Sequence, residues 1–364
     1  MKFALPVFPW DRLEPISQLA AQHPDGIADL TIGTPVDPTP DLVQDALAAA
    51  ADAPGYPATA GTARVEEAAR LWLRRRCDVT LAEDDHVIPS IGSKEMVALL
   101  PTLLGLGPEH TVVIPTLAYP TYDLGARIAG CQVRVTDRPE DLSGAALVWH
   151  NSPGNPSGHI AGAAEQAEFL AAAREAGAVV ASDECYAEFG WDAAVVSMLH
   201  DSVSGGDHRG IMSLHSLSKR SNMAGYRYGF TAGDGEVIVR VLQVRKHLGL
   251  MVPIPIQAAA AVAFDDDAHV EAQREIYLRR RSVLAPALTD AGFRIDHSQG
   301  GLYLWATRGE NCWDTARALA EHGVLVTPGD FYGDAGVEHV RVALTATDDV
   351  IGRTKARLAS FSGR

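Results

Sequence analysis

The stretch Ile211-Met212-Ser213-Leu214-His215-Ser216-Leu217-Ser218-Lys219-Arg220-Ser221-Asn222-Met223-Ala224-Gly225-Tyr226-Arg227-Tyr228-Gly229 sets the reading of the whole chain. Its first four residues are β-prone, and a lysine follows among small polar residues. An arginine stands eight positions beyond that lysine, between two glycines. The chain has five lysines, Lys2, Lys94, Lys219, Lys246 and Lys355. Lys219 is the one placed just past a strand, beside hydroxyls and an arginine suited to a phosphate. Small neighbours and Gly225 leave room for a bulky group near the backbone. Taken alone, the segment reads equally well as a surface lysine in a polar loop, so its context has to decide.

Moving upstream, the same pattern recurs. Ala178–Ser182 is a short apolar run that ends in Asp183-Glu184-Cys185-Tyr186. Ala145–His150 is another, followed by Asn151-Ser152-Pro153-Gly154-Asn155-Pro156-Ser157-Gly158. Thr111–Ile114 precedes a loop through Tyr119 and Tyr122. A helix at about 163–176 separates two of these runs and ends at Gly177. Continuous apolar runs alternating with helices predict buried parallel strands, hence an α/β fold. In such sheets ligands bind beyond the carboxyl ends of the strands. Tyr119, Asn155, Asp183, Tyr186 and Lys219 are therefore expected to meet in one crevice. Still further upstream, Val87–Gly92 reads as a strand and turn, with Ser93 opening an apolar helix. Backbone N–H groups and the helix dipole make that a ready anion site, although an ordinary helix cap has the same spacing.

Towards the N-terminus the pattern predicts a helix near 13–23, a short run reaching the Gly33 turn, and a helix over 46–53. Gly55-Tyr56-Pro57 breaks that helix, and another follows over 63–77. Beyond Leu248 a proline-broken joint leads into a long helical stretch, 257–264 and 269–291. Strands and helices then mix without the βα rhythm, ending in a helix from Asp348. The expected division is a large unit, 40–250, and a smaller α+β unit made of 1–39 and 251–364.

Composition narrows the function. The chain has 364 residues, 47% of them hydrophobic, and a net charge of −15. That charge argues against a nucleic-acid partner. Cys77, Cys131, Cys185 and Cys312 are widely spaced, which suggests neither a metal site nor a disulfide framework. The proline-interrupted opening is not a signal peptide, and no apolar run is long enough to span a bilayer. No membrane is expected as partner, and a cytoplasmic location follows. No G-x-G-x-x-G follows an early strand, which sets a nicotinamide dehydrogenase aside.

One lysine, a carboxylate at a strand end, an asparagine, two tyrosines and a cluster of Ser93, Ser216 and Arg227 suit pyridoxal phosphate. The aldehyde needs a lysine, the ring nitrogen a carboxylate, the phenolic oxygen donors, and the phosphate hydroxyls and an arginine. At this point the chain resembles a known family. Asn151–Gly158, Asp183–Tyr186 and Ser216–Gly229 are similar, in order and spacing, to the signatures of class I/II aminotransferases of fold type I. The resemblance implies a mainly parallel seven-stranded sheet between helices. By it, Lys219 is the Schiff-base lysine, Asp183 the pyridinium partner, and Asn155 and Tyr186 the partners of the phenolic oxygen. Ser216, Arg227 and the Ser93–Lys94 backbone are phosphate ligands, and Tyr119 is the stacking aromatic. Tyr56 is the tyrosine that reaches a neighbouring subunit's phosphate, which implies a homodimer. Arg341 grips the substrate α-carboxylate, and Gly33 meets the substrate.

Two departures stand out. Ser157 replaces the commoner threonine, and Val65-Glu66 replaces the usual Leu-Arg; neither touches the core chemistry. Cofactor residues do not separate an aminotransferase from a C–S lyase or a decarboxylase of the same fold. Four further segments, 90–95, 244–253, 301–308 and 328–333, resemble succinyldiaminopimelate aminotransferases of the bacterial lysine pathway. Such a substrate carries carboxylates far from the reacting amine. Lys94, Arg245 and Lys246 are the candidates to hold them, with solvated surface charge as the other reading.

Overall fold

The computed structural model describes residues 9–361; the proline-rich opening, 1–8, and the last three residues lie outside it. Seven strands form one sheet. In chain order they are His86–Ile91, Thr111–Ile114, Gln132–Val135, Ala145–Asn151, Val179–Asp183, Ile211–Ser216 and Tyr228–Gly233. Across the sheet the order is 86–91, 228–233, 211–216, 179–183, 145–151, 111–114, 132–135. Every neighbouring pair is parallel except those made by 228–233, which runs against both strands beside it.

The continuous apolar runs are explained by burial on both faces. Alternate residues serve opposite cores, as the two-residue period of a strand requires. Val148, Val180 and Ile211 face one side, with helices Ala63–Arg76, Ala163–Glu175 and Ile254–Asp265. Leu147, Trp149, Ala181, Met212 and Leu214 face the other, with Ser93–Leu103, Thr121–Ile128 and Gly235–Leu248. Burying each of the larger side chains among them contributes about 1.5–3 kcal/mol.

A second sheet of four strands is antiparallel throughout, in the order 327–328, 339–343, 303–307, 294–296. Its core takes in Tyr277 and Leu284 of helix Ala268–Asp290, Leu319 of Cys312–Glu321 and Leu358 of Asp348–Phe361. The N-terminal segment joins this part of the molecule, because Ala28–Asp29 pairs in parallel with Val324–Leu325. Helix Ile254–Asp265 lies beyond residue 250, yet Ala259, Ala260, Ala263 and Phe264 share the core of the seven-stranded sheet. By packing, it goes with that sheet.

Local differences from the sequence reading have physical causes. The helix expected over 46–53 is Asp41–Ala49. It starts after Pro40, with Asp41 favourably placed at the positive end of the helix dipole. It cannot run through Ala53, because a residue before proline is pushed out of the helical region. The strand Gln132–Val135 has no apolar run to announce it, because it lies at the sheet edge with Gln132 and Val135 exposed. No helix among the described residues is long and apolar enough to cross a membrane.

Candidate active site

A cavity of about 440 Å³ opens at the carboxyl ends of the parallel strands. Tyr119, Asn155, Asp183, Tyr186 and Lys219 all line it, as do Ser93, Lys94, Ser216, Arg227, Arg341 and Gly33. Its charged lining comprises Lys94, Lys219, Arg227 and Arg341 against the single carboxylate of Asp183. In a chain of net charge −15, such a positive pocket is a built site for anions.

One end is a cradle made by three segments. Strand 228–233 lies between 86–91 and 211–216, so Gly229 pairs with both Ser90 and Ser216. Arg227 immediately precedes this strand in a left-handed conformation, φ +57°. Gly92, φ +70°, turns the chain into helix Ser93–Leu103, and a Cβ there would run into the Arg227 guanidinium. A Cβ at Gly229 would come within 2.7 Å of the Ser93 backbone nitrogen. The Ser216 hydroxyl caps the next turn by accepting from Ser218 N at 3.1 Å. A helix N-terminus, hydroxyls and a guanidinium thus face one volume, the donor set a phosphate requires.

The floor is Asp183, at the end of its strand. It is held by neutral donors: the Tyr122 hydroxyl at 2.8 Å and its neighbour Cys185 N at 3.2 Å. Tyr122 is fixed in turn by stacking on Trp149, with ring centroids 4.6 Å apart. Burial pushes the Asp183 carboxyl up, and the hydrogen bonds from Cys185 and Tyr122 only partly offset it. A cation in the cavity beside it would keep it ionised. Lys219 stands across the site on the short helix Leu217–Arg220 and donates to the Gly33 carbonyl. Burial lowers its pKa, which favours the free amine a nucleophile needs.

The third wall comes from the four-stranded sheet. Arg341 is buried and donates to Asn155 Oδ1 at 2.9 Å and to the Thr31 carbonyl at 2.5 Å. Its guanidinium lies 3.9 Å from the centre of the Tyr303 ring. Tyr303 and Tyr186 share a hydrogen bond of 3.0 Å between their hydroxyls. A Cβ at Gly33 would collide with the Tyr303 hydroxyl, which explains the glycine there. Asn151 ties the loop to the floor: its Nδ2 donates to the Asp183 carbonyl at 2.8 Å and its Oδ1 accepts from Asn155 N at 2.8 Å. Tyr122, Tyr303 and Asn151 have no sequence signature of a role here; each enters the site through contacts with residues far along the chain.

Three other expected residues sit differently. Tyr56 is 96% exposed and does not line the cavity of its own chain. Arg245 is fully buried, paired with Glu95 at 2.5 Å and donating to the Pro89 carbonyl at 3.0 Å. Lys246 is exposed and donates to Gln243 Oε1 at 3.4 Å. Neither lines the cavity, so neither holds a distal carboxylate there. Arg245 is instead an internal strut, its charge already neutralised. Lys94 does line the cavity, over the Tyr119 ring at 6.0 Å.

The sequence profile of aminotransferase class I and II matches residues 26–357. The chain belongs to this family. Class I/II aminotransferases are pyridoxal-phosphate enzymes of fold type I, and the cradle, the buried amine and the carboxylate floor fit that cofactor. Among relatives of this aminotransferase is 4-dedimethylamino-4-oxo-anhydrotetracycline transaminase OxyQ of Streptomyces rimosus. It is 54% identical, with 97% of this chain and 99% of the relative covered. The probable aminotransferase Rv1178 of Mycobacterium tuberculosis is 56% identical over 98% of this chain and 85% of its own. The solved N-succinyldiaminopimelate aminotransferase from M. tuberculosis is 25% identical, with a TM-score of 0.85, covering 98% of this chain and 100% of its own.

Proposed function

We propose that this aminotransferase exchanges amine for ketone between N-succinyl-LL-2,6-diaminopimelate and 2-oxoglutarate, by a ping-pong route. One observation supports a substrate with two separated anionic groups. Arg341 and Lys94 line the same cavity, and no carboxylate pairs with Lys94 among the described residues. Arg341 takes the α-carboxylate in its planar fork. Lys94 takes the distal one.

Bound pyridoxal phosphate supplies an aldehyde for the substrate amine and a ring that accepts electrons from Cα. Ser93, the Lys94 backbone, Ser216 and Arg227 hold the phosphate. Tyr119 stacks on the ring. Asn155, whose Oδ1 is engaged by Arg341, offers its Nδ2 to the phenolic oxygen, and Tyr186 offers its hydroxyl. Asp183 keeps the ring nitrogen protonated. Lys219 would hold the cofactor's aldehyde carbon and, as a free amine beside it, would move the proton between Cα and C4′. Tyr56, too exposed to serve its own chain, reaches the phosphate of a second copy in a cytoplasmic homodimer.

A second reading is favoured by the 54% identity to OxyQ across nearly both chains. Its acceptor would be a fused-ring ketone laid against the apolar lip of Ile32, which is 56% exposed, and Trp10. Mixing the holoenzyme with a panel of amino acids and following the cofactor's visible absorbance separates the two. Fast bleaching by the succinylated substrate and by glutamate is expected, with slow bleaching by aromatic and small aliphatic amino acids. Fastest reaction with alanine, methionine or phenylalanine would overturn the substrate and leave the family untouched. Amination of a polycyclic ketone from glutamate, with no reaction of the succinylated substrate, would favour the second reading.

A further inference from the structure

Tyr303 is the residue of this site whose placement the roles above leave unused. It starts a strand of the four-stranded sheet, where Trp305 pairs with Arg341 on the adjacent strand. From there its hydroxyl crosses to Tyr186, which follows a strand of the seven-stranded sheet. The ring packs under the Arg341 guanidinium at 3.9 Å, and its hydroxyl lies against Gly33. Both tyrosines are buried, with Tyr303 4% and Tyr186 6% exposed.

The direction of the hydrogen bond matters. A phenol has one proton to give. If Tyr186 gives its own to the cofactor's phenolic oxygen, its oxygen is left to accept, and Tyr303 is the donor at 3.0 Å. The geometry agrees: the Arg341 guanidinium, 3.9 Å from the centre of the Tyr303 ring, draws electron density from that phenol and favours its giving the proton.

We propose that Tyr303 is a positioning residue that acts through Tyr186: it donates to the Tyr186 hydroxyl and strengthens the hydrogen bond Tyr186 gives to the phenolic oxygen of the cofactor. The proposal deepens the reading of the site above and rests on the role given there to Tyr186. Hydrogen bonds in a chain polarise one another, so a donor behind Tyr186 makes Tyr186 a stronger donor in front. A stronger bond to the phenolic oxygen lets that oxygen carry more negative charge. The deprotonated form of the bound chromophore gains from this, so the pH midpoint of its visible colour change falls.

The test is a spectrophotometric pH titration of the holoenzyme without substrate, for wild type, Tyr303→Phe, Tyr186→Phe and the double variant. Phenylalanine keeps the ring beneath Arg341 and removes only the hydroxyl. Cofactor stoichiometry and the thermal midpoint establish that each variant is folded. Tyr186→Phe is expected to raise the colour midpoint by about one unit, the scale of one hydrogen bond to a charged group. Tyr303→Phe should raise it by about half as much, and the double variant should match Tyr186→Phe alone. An unchanged or lowered midpoint in Tyr303→Phe, beside a raised one in Tyr186→Phe, overturns the relay. So does a double variant whose shift is the sum of the two. No shift in Tyr186→Phe overturns the role of Tyr186 itself. If Tyr303→Phe is unfolded, incorporation of a fluorotyrosine at 303 gives the second measurement: a more acidic phenol should lower the midpoint, and an unchanged or raised one overturns the proposal.

Discussion

Replacing Asp183 by asparagine separates what this carboxylate does for turnover from what it costs the fold. Its partners are neutral, the Tyr122 hydroxyl at 2.8 Å and Cys185 N at 3.2 Å, so its counter-charge has to come from the cavity. Losing a preorganised electrostatic partner in a dry site costs about 3 kcal/mol, or roughly a hundredfold in kcat. Tyr122→Phe leaves the charge and removes one donor, so about tenfold is expected there. Stability should move the other way. Burial raises the folded-state pKa of Asp183 above its unfolded value. A group raised in this way contributes stability below the unfolded pKa and loses it as pH rises through the folded pKa. As pH rises past the ordinary carboxylate range, the cofactor-free protein therefore meets a growing cost of ionising this buried group, which asparagine avoids. Thermal melts of cofactor-free wild type and Asp183→Asn, from about pH 4 to pH 8, should show the variant gaining on wild type as pH rises above the ordinary carboxylate range. Near wild-type kcat in Asp183→Asn, or a stability difference that does not change with pH, would refute this reasoning.

Borohydride reduction of the holoenzyme, digestion and peptide mapping should place the pyridoxyl label on Lys219, and a label on any other lysine would displace that assignment. Arg341→Lys should weaken both half-reactions while sparing the cofactor spectrum, because an ammonium cannot match a planar fork; an effect on only one substrate would contradict a shared carboxylate site. Arg245→Met removes a buried guanidinium and leaves the half-buried Glu95 carboxylate with only the Ile91 N–H, so a loss of about 2–3 kcal/mol is expected in denaturant unfolding. The ratio of rates for substrates with and without a distal carboxylate should not change in that variant, and a selective loss would return Arg245 to the site.

The sequence carried the α/β class and the meeting of five strand-end residues, because buried parallel strands announce themselves as apolar runs with polar residues at their ends. It did not carry the reversed strand Tyr228–Gly233. That strand begins directly after Arg227 and has glycines at both ends of a short apolar run, so nothing local separates it from the loop. Tyr303 was invisible for a different reason. Its partner Tyr186 is 117 positions away, and a phenol on a buried strand has the same local pattern whether it serves a core or a site. Arg245 misled because charge can be read from sequence and burial against Glu95 cannot. The alanines at 46–53 suggest a helix later than the real one, Asp41–Ala49, because helix propensity carries less weight there than the proline that starts it.

The reversal of strand 228–233 has a consequence for how the anion end of the pocket is made ready. In an all-parallel sheet, the start of one strand lies far from the ends of its neighbours. Here the start of 228–233 lies beside the ends of 86–91 and 211–216, tied to both by backbone ladders. Arg227, Ser93 and Ser216 are thereby held in register by main-chain bonds, and the cradle forms when the sheet forms. The conformational entropy of assembling the donors is settled during folding, so little is left to lose when a phosphate arrives. The carboxylate end differs, since Arg341 comes from the other sheet and is held by side chains and loop carbonyls. The pocket thus has a rigid end that grips the anchor and a second end free to be tuned for the molecule that turns over.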